Sequence, residues 1–260
     1  MAYHTLKLET SGAVATLTLN RPGKLNAIST EMIEEVLAAL AETDASAAHV
    51  LILTGEGNAF CSGLDLDDLK AMAQQSPERH MEDSRHMARL YRQIWSFSKP
   101  TIAAVNGAAI AGGCGLATLC DFTISASTAT FGYPEVRIGF IPAIVSVFLT
   151  RQIGEKNARD LLLSGRIIDA AEAHRMGMLT KVVPASGVMN AARAQAKPLL
   201  AGSPASLLKT KKLLCNLSAP ELDRELELAI AAGAEIRSTP DFREGLASFL
   251  EKRAPRWGSR

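Results

Sequence analysis

From Pro100 to Cys120 the chain runs 21 residues without a charge. A run of that length is long enough to cross a bilayer. It nevertheless carries four glycines, one asparagine and many alanines, so its transfer energy into lipid is weak. Ile102–Val105 followed by Asn106-Gly107 reads instead as a buried strand, a turn and a buried helix. The chain therefore has to wrap this segment in its own core.

A chain of 260 residues is long enough to do so. At that size roughly three quarters of the unfolded surface is buried, which suits one domain, or one domain with an appendage. Apolar residues make up 47% and charged residues 21%, as in an ordinary globular protein. A formal net charge of +1 leaves no electrostatic footprint for nucleic acid or an anionic membrane. A small anionic ligand needs only a local basic patch and stays open.

The cysteines Cys61, Cys114, Cys120 and Cys215 form no Cys-x-x-Cys pair, and no histidine stands at metal-ligand spacing from them. We expect no metal site and free thiols, with Cys61 and Cys114 as small buried apolar residues. Met1-Ala2-Tyr3-His4 has neither a basic nor an apolar leader region. Together these features lead us to expect a reducing cytoplasm.

Ala13–Leu19 alternates apolar and polar residues as a strand does, and Asn20–Lys24 breaks it. Ser29 or Thr30 caps a helix with Glu31, Glu34 and Glu35 in its first turns. Val50–Leu53, Thr101–Val105, Phe122–Ala126 and Lys181–Val183 read as further strands. Helices are expected over 76–97, where His80, Glu82, Asp83, Arg85, His86 and Arg89 form a solvated face, and over Glu155–Ser164 and Ala170–Met176. Short buried strands alternating with helices argue for an α/β fold. After about residue 195 the strands stop, and Ser203-Pro204 opens a charged, leucine- and alanine-rich helical stretch.

Three stretches carry chemistry: Phe60-Cys61-Ser62-Gly63-Leu64-Asp65-Leu66, Asn106 through Gly115, and Phe131-Gly132-Tyr133-Pro134-Glu135. Gly63 can take backbone angles that aim the Leu64 N–H into a cleft, and Gly112 and Gly113 are read the same way at a helix start. Glu135 adds one carboxylate, on a backbone that the preceding proline is expected to hold extended. Two convergent N–H donors and a carboxylate are the minimum set for stabilising an enolate and moving a proton beside it. Taken singly, each glycine could equally serve close strand–helix packing, and Glu135 could pair with Arg137. No Gly-Lys-[Ser/Thr] sequence follows a glycine run, and Gly113-Cys114-Gly115 lacks the third glycine of a dinucleotide fingerprint.

In order and wording these stretches resemble the enoyl-CoA hydratase/isomerase family, the crotonases, from Leu19-Asn20-Arg21-Pro22 to Phe249-Leu250-Glu251-Lys252-Arg253. The resemblance implies a right-handed spiral of β-β-α turns over residues 1–195. A helical region over 196–260 would then pack against neighbouring subunits of a homotrimer, or of a hexamer built from two trimers. It implies that the Leu64 and Gly112 N–H groups bind a thioester carbonyl and that Glu135 transfers the proton. It places Lys24 and Leu25 beside the coenzyme A moiety, and Ser62, Leu64, Asp65 and Leu66 along its cleft. Gly112 and Gly115 lie against the substrate, and Phe249 and Lys252 reach a neighbouring subunit's coenzyme A. No separate cofactor is implied, because coenzyme A arrives as part of the substrate.

One departure matters. Straight-chain hydratases of this family carry a second glutamate where this chain has Gly115, and glycine cannot transfer a proton. The wording from Pro134 to Ser146 looks more like the branch that contains 3-methylglutaconyl-CoA hydratases. Ala143–Val147 replaces a glycine-rich segment and implies a remodelled space above the site. The readings left are hydration of a 2-enoyl-CoA, including a branched or dicarboxylic one, single-base isomerisation of a double bond, or a hydrolase or decarboxylase reaction on the same scaffold. A substitute second acid would come from Glu82-Asp83-Ser84-Arg85-His86. An RNA-binding role through the first helix is set aside, since that helix carries Glu31, Glu34, Glu35, Glu42 and Asp44 and no lysine.

Overall fold

The computed structural model describes residues 3–258; Met1 and Ala2 of the expected leaderless start lie outside them. The chain opens with an antiparallel hairpin of β1 (Leu6–Ser11) and β2 (Val14–Leu19). Along β2 every second residue is buried, following the alternation in its sequence. The Ser29 side chain accepts the Met32 N–H and starts α1 (Thr30–Ala45), which buries Met32, Ile33, Val36 and Leu40.

The same path is then taken three times. β3 (Val50–Gly55) runs into β4 (Ala59–Cys61), β5 (Thr101–Val105) into β6 (Ala108–Ile110), and β7 (Phe122–Ala126) into β8 (Thr130–Gly132). Strands β2, β3, β5 and β7 lie parallel in a six-stranded sheet ordered β1-β2-β3-β5-β7-β10, with antiparallel β1 at one edge and the short β10 (Lys181–Val183) parallel at the other. The short strands form a second sheet ordered β4-β6-β8-β9, where β9 is Ile167–Asp169 and runs antiparallel to β8. Helices close each circuit: α2 (Leu66–Met72) and α3 (Pro77–Trp95), then α4 (Gly112–Thr118), then α5 (Ala143–Ser164). This is the expected spiral of β-β-α turns. The uncharged segment forms β5, β6 and α4, so it holds two strands where its sequence suggests one. Three-residue strands are too short to show a period.

α6 (Ala170–Arg175) follows β9, and α7 (Val188–Ala201) packs across β3, β5 and β7. α5 starts twelve residues before the expected Glu155 and bends at Gly154, whose φ of 74° is not helical. Residue 195 lies within α7, which continues to Ala201 against the sheet, and the helix ends at Gly202, next to the Ser203-Pro204 step. Ser203 then caps α8 (Pro204–Ile236), which is followed by α9 (Pro240–Leu250).

The C-terminal helices fold back on their own chain. α8 packs against α3 and α5, and α9 packs on the Pro134–Ile138 turn. α3 and α8 run antiparallel: Arg92 bonds Asp223 at 2.8 Å near one end, and Arg237 bonds the His80 carbonyl at 3.0 Å near the other. Of the expected solvated face of α3, Glu82, Arg85 and Arg89 are exposed, whereas His80 is buried, its Nε2 2.7 Å from the Met72 carbonyl.

Candidate active site

The first turn is held by Ile28. Its N–H bonds the Gly63 carbonyl at 2.7 Å, and its carbonyl accepts the Asp65 N–H at 2.9 Å. In such a parallel bridge the residue between, Leu64, directs its own N–H to the opposite side. Gly63 makes this turn at φ +95°, where a side chain would be strained.

The second turn lies against the first. A Cβ built on Gly63 would sit 3.0 Å from Ala111 Cβ and 3.8 Å from the Gly112 nitrogen. Here the unusual backbone belongs to Ala111, at φ 53° and ψ −126°, whose N–H is tied to the Gly132 carbonyl at 2.8 Å. The glycines after it are required for room and not for their angles. A Cβ on Gly112 would meet the Tyr91 hydroxyl at 2.7 Å, and one on Gly113 would meet the Cys61 carbonyl at 2.2 Å. As the first residue of α4, Gly112 has no helical acceptor for its N–H.

Glu135 stands in the short helical turn Pro134–Ile138. Its backbone is not extended as expected: Pro134 fixes the turn's first position, and the Glu135 carbonyl accepts the Phe140 N–H at 3.0 Å. The side chain is 8% exposed and its Oε2 has no hydrogen-bond partner. Among the described residues no ion pair joins it to Arg137. Burial pushes its carboxyl up to about 7, so near neutral pH both protonation states are populated. Cys61 and Cys114 are fully buried and free, and burial pushes both thiols up to about 12, which rules out a ready thiolate.

Leu64, Gly112 and Glu135 open on one cavity of about 510 Å³, together with Ser62, Leu66 and Phe249. Phe249 reaches the cavity of its own chain, through α9, where the sequence implied a neighbour's. The remaining expected contacts lie elsewhere. Asp65 is buried and committed internally, accepting Arg21 Nη2 at 2.6 Å and capping α2 through the Asp67 N–H at 2.9 Å. Burial acts to raise its carboxyl, but the Asp67 N–H and the Arg21 guanidinium outweigh it and hold the group below the usual range. Lys24 is half exposed and bonds Asp67 at 2.8 Å, Leu25 is exposed beside it, and Lys252 lies beyond α9 outside the cavity.

Gly115 is behind the wall. A Cβ there would lie 2.6 Å from Val145 Cγ1 and 3.3 Å from the Tyr91 ring, so those two side chains fill the space a second carboxylate would need. Of the substitute acids, Asp83 and His86 line the cavity. Glu82 faces solvent and pairs with Arg79 at 3.0 Å. Sequence reasoning missed Tyr91, whose hydroxyl donates to the Gly112 carbonyl at 2.8 Å across 21 residues of chain. No local signal marks such a contact.

The enoyl-CoA hydratase/isomerase family pattern matches residues 9–260. A Thermus thermophilus relative named after enoyl-CoA hydratase is 41% identical over 247 residues, which are 95% of this chain and 98% of that one. The short-chain-enoyl-CoA hydratase of Clostridium acetobutylicum is 33% identical over 260 residues, 97% of each chain. A crystal structure of an enoyl-CoA hydratase/isomerase from Xanthobacter autotrophicus Py2 superposes with a TM-score of 0.89 at 32% identity, covering 99% of this chain and all of the other. The spiral of β-β-α turns agrees with that match, and the chain belongs to the enoyl-CoA hydratase/isomerase family.

Proposed function

We propose that this enzyme reversibly hydrates a 2-enoyl-CoA, with Glu135 as its single proton-transfer group. The observation that carries the reading is one buried, unpartnered carboxylate sharing a cavity with two backbone turns that leave N–H groups free. The thioester oxygen sits between the Leu64 and Gly112 N–H groups, which take up the negative charge of the enolate. The Glu135 carboxylate accepts a proton from water as the oxygen adds to the β-carbon. The resulting carboxylic acid then returns that proton to the α-carbon and restores the carboxylate, so atoms and charge balance without a second acid.

Gly115 favours a second reading, isomerisation. The same carboxylate would take a proton from the α-carbon of a 3-enoyl-CoA and deliver it to the γ-carbon. Turnover in heavy-oxygen water separates the two. Hydration places the label in the product, whereas isomerisation moves the double bond with no label. Absence of both products from crotonyl-, 3-methylglutaconyl- and 3-enoyl-CoA would refute both readings.

The acyl group we infer is short and branched, in keeping with the wording of Pro134–Ser146 and with Val145 filling the wall. Ser62, Leu66 and Phe249 would contact the thioester arm, with Lys24 supplying charge for phosphate at the rim. Leu213, Leu214, Leu217 and Leu228 are exposed on α8 and would be covered in a homotrimer or hexamer. Four free cysteines suit a reducing compartment.

A further inference from the structure

We propose that the end of the cavity between α3 and α8 is a subsite for a carboxylate on the far end of the acyl chain, held by Arg237 and Ser84. The proposal rests on the reading that an enoyl-CoA fills this cavity, and it names the class of acyl group.

The two helices bring these residues together through their register. On α3, His80 and Ser84 are one turn apart; on α8, so are Gly233 and Arg237. The His80 carbonyl takes Arg237 Nη1 at 3.0 Å, and a Cβ on Gly233 would lie 3.5 Å from Ser84 Oγ. Ser84, Gly233 and Arg237 all line the cavity. Gly233 keeps the wall low where a side chain would cover Ser84.

Both polar groups are short of partners. Arg237 is 5% exposed and Ser84 2% exposed, yet Arg237 Nε and Ser84 Oγ have no hydrogen bond. One face of the guanidinium rests on the Phe140 ring at 5.3 Å. Asp83 also lines the cavity and favours the charged guanidinium from a distance, but it pairs directly with Arg79 at 3.2 Å, and burial outweighs its help and holds Arg237 below the ordinary arginine range. A buried guanidinium with an unbonded N–H is costly, and a ligand carboxylate would relieve it with charge-assisted hydrogen bonds. The phosphates of coenzyme A belong at a solvent-facing rim, whereas this group is almost wholly enclosed. Tyr91, at the oxyanion turn, and Ser84 are seven residues apart on α3, about 10 Å along its axis. That distance suits a dicarboxylic chain of a few carbons.

Binding measurements test this without turnover. Glutaryl-CoA and butyryl-CoA differ in a terminal carboxylate, and calorimetry gives their affinities for the intact protein. We expect glutaryl-CoA to bind about 10- to 100-fold more tightly. Arg237→Met should abolish the preference while leaving butyryl-CoA affinity within about threefold, Arg237→Lys should keep part of it, and Ser84→Ala should reduce it. Equal binding of the two ligands by the unaltered protein overturns the proposal, even if Arg237→Met fails to fold. So does an Arg237→Met variant that weakens both ligands alike. If the preference is present but no enoyl-CoA is hydrated or isomerised, the reaction reading falls and the carboxylate subsite stands.

Discussion

The Tyr91 hydroxyl bonds the carbonyl of Gly112 at 2.8 Å, so a side chain of α3 fixes the peptide next to the N–H assigned to the oxyanion. Tyr91→Phe keeps the ring that packs against Gly115 and removes only this bond. We expect kcat to fall about tenfold, KM to change by less than twofold and the melting temperature to drop slightly. Unchanged kcat would show that Ala111 and the sheet position the turn unaided.

Glu135→Gln keeps the shape and removes the base. Turnover should fall at least about 100-fold with affinity for the CoA thioester retained. In the unaltered enzyme the reaction begins from the carboxylate, so kcat/KM should rise with pH and level off above about 7, where Glu135 ionises. Stability runs the other way. The folded protein holds the Glu135 proton up to about 7, whereas the unfolded chain releases it near the ordinary glutamate value. The stabilising contribution of the protonated group is thus complete at low pH and lost as pH rises through that window. Glu135→Gln should match the parent in stability near pH 4 and exceed it by about 3 kcal/mol above pH 8. Denaturant melts at the two pH values measure this.

Gly115→Glu, which places a carboxylate where the resemblance to straight-chain hydratases implies one, should fail here. Its side chain must displace Val145 or Tyr91, so we expect loss of activity and of about 2–4 kcal/mol of stability. Adding Val145→Gly should recover part of the stability. An active, stable single variant would show that this wall yields easily.

Asp65→Asn breaks the ion pair with Arg21 inside a buried turn and should cost about 3–5 kcal/mol. Activity per folded molecule should keep the parent KM within about threefold, since the carboxylate faces Arg21 and not the cavity. A large KM increase in a stable variant would return Asp65 to the coenzyme A contacts.

Much of the spiral was readable from local pattern. Thr101–Val105, Phe122–Ala126 and Lys181–Val183 are strands as expected, and Ser29 caps α1. The short strands of the second sheet were not, because a segment such as Ala108–Ile110 has no room for a period and pairs only with residues distant in sequence. At the site, the sequence singled out turns that do bring Leu64, Gly112 and Glu135 to one cavity, but two of its reasons differ: the unusual angles belong to Ala111 while Gly112 provides room, and Glu135 sits in a helical turn and not on extended backbone. Ala143–Val147 and Glu82–His86 were singled out as stretches, without the particular contacts of Val145 and Ser84; Tyr91 and Arg237 were missed. Each of the four matters only through a contact made by folding α3, α5 or α8 over the turns, and nothing adjacent in sequence announces it.

Because α8 and α9 return to their own chain, the cavity draws its walls from two separable parts of the polypeptide. The spiral supplies the groups that handle the thioester. The last sixty residues supply Gly233 and Arg237 at the far end and Phe249 along the arm. Mutation in the C-terminal segment can therefore revise part of the acyl preference while the proton-transfer apparatus is inherited unchanged. Grafting residues 203–258 between relatives should carry substrate choice along with the graft.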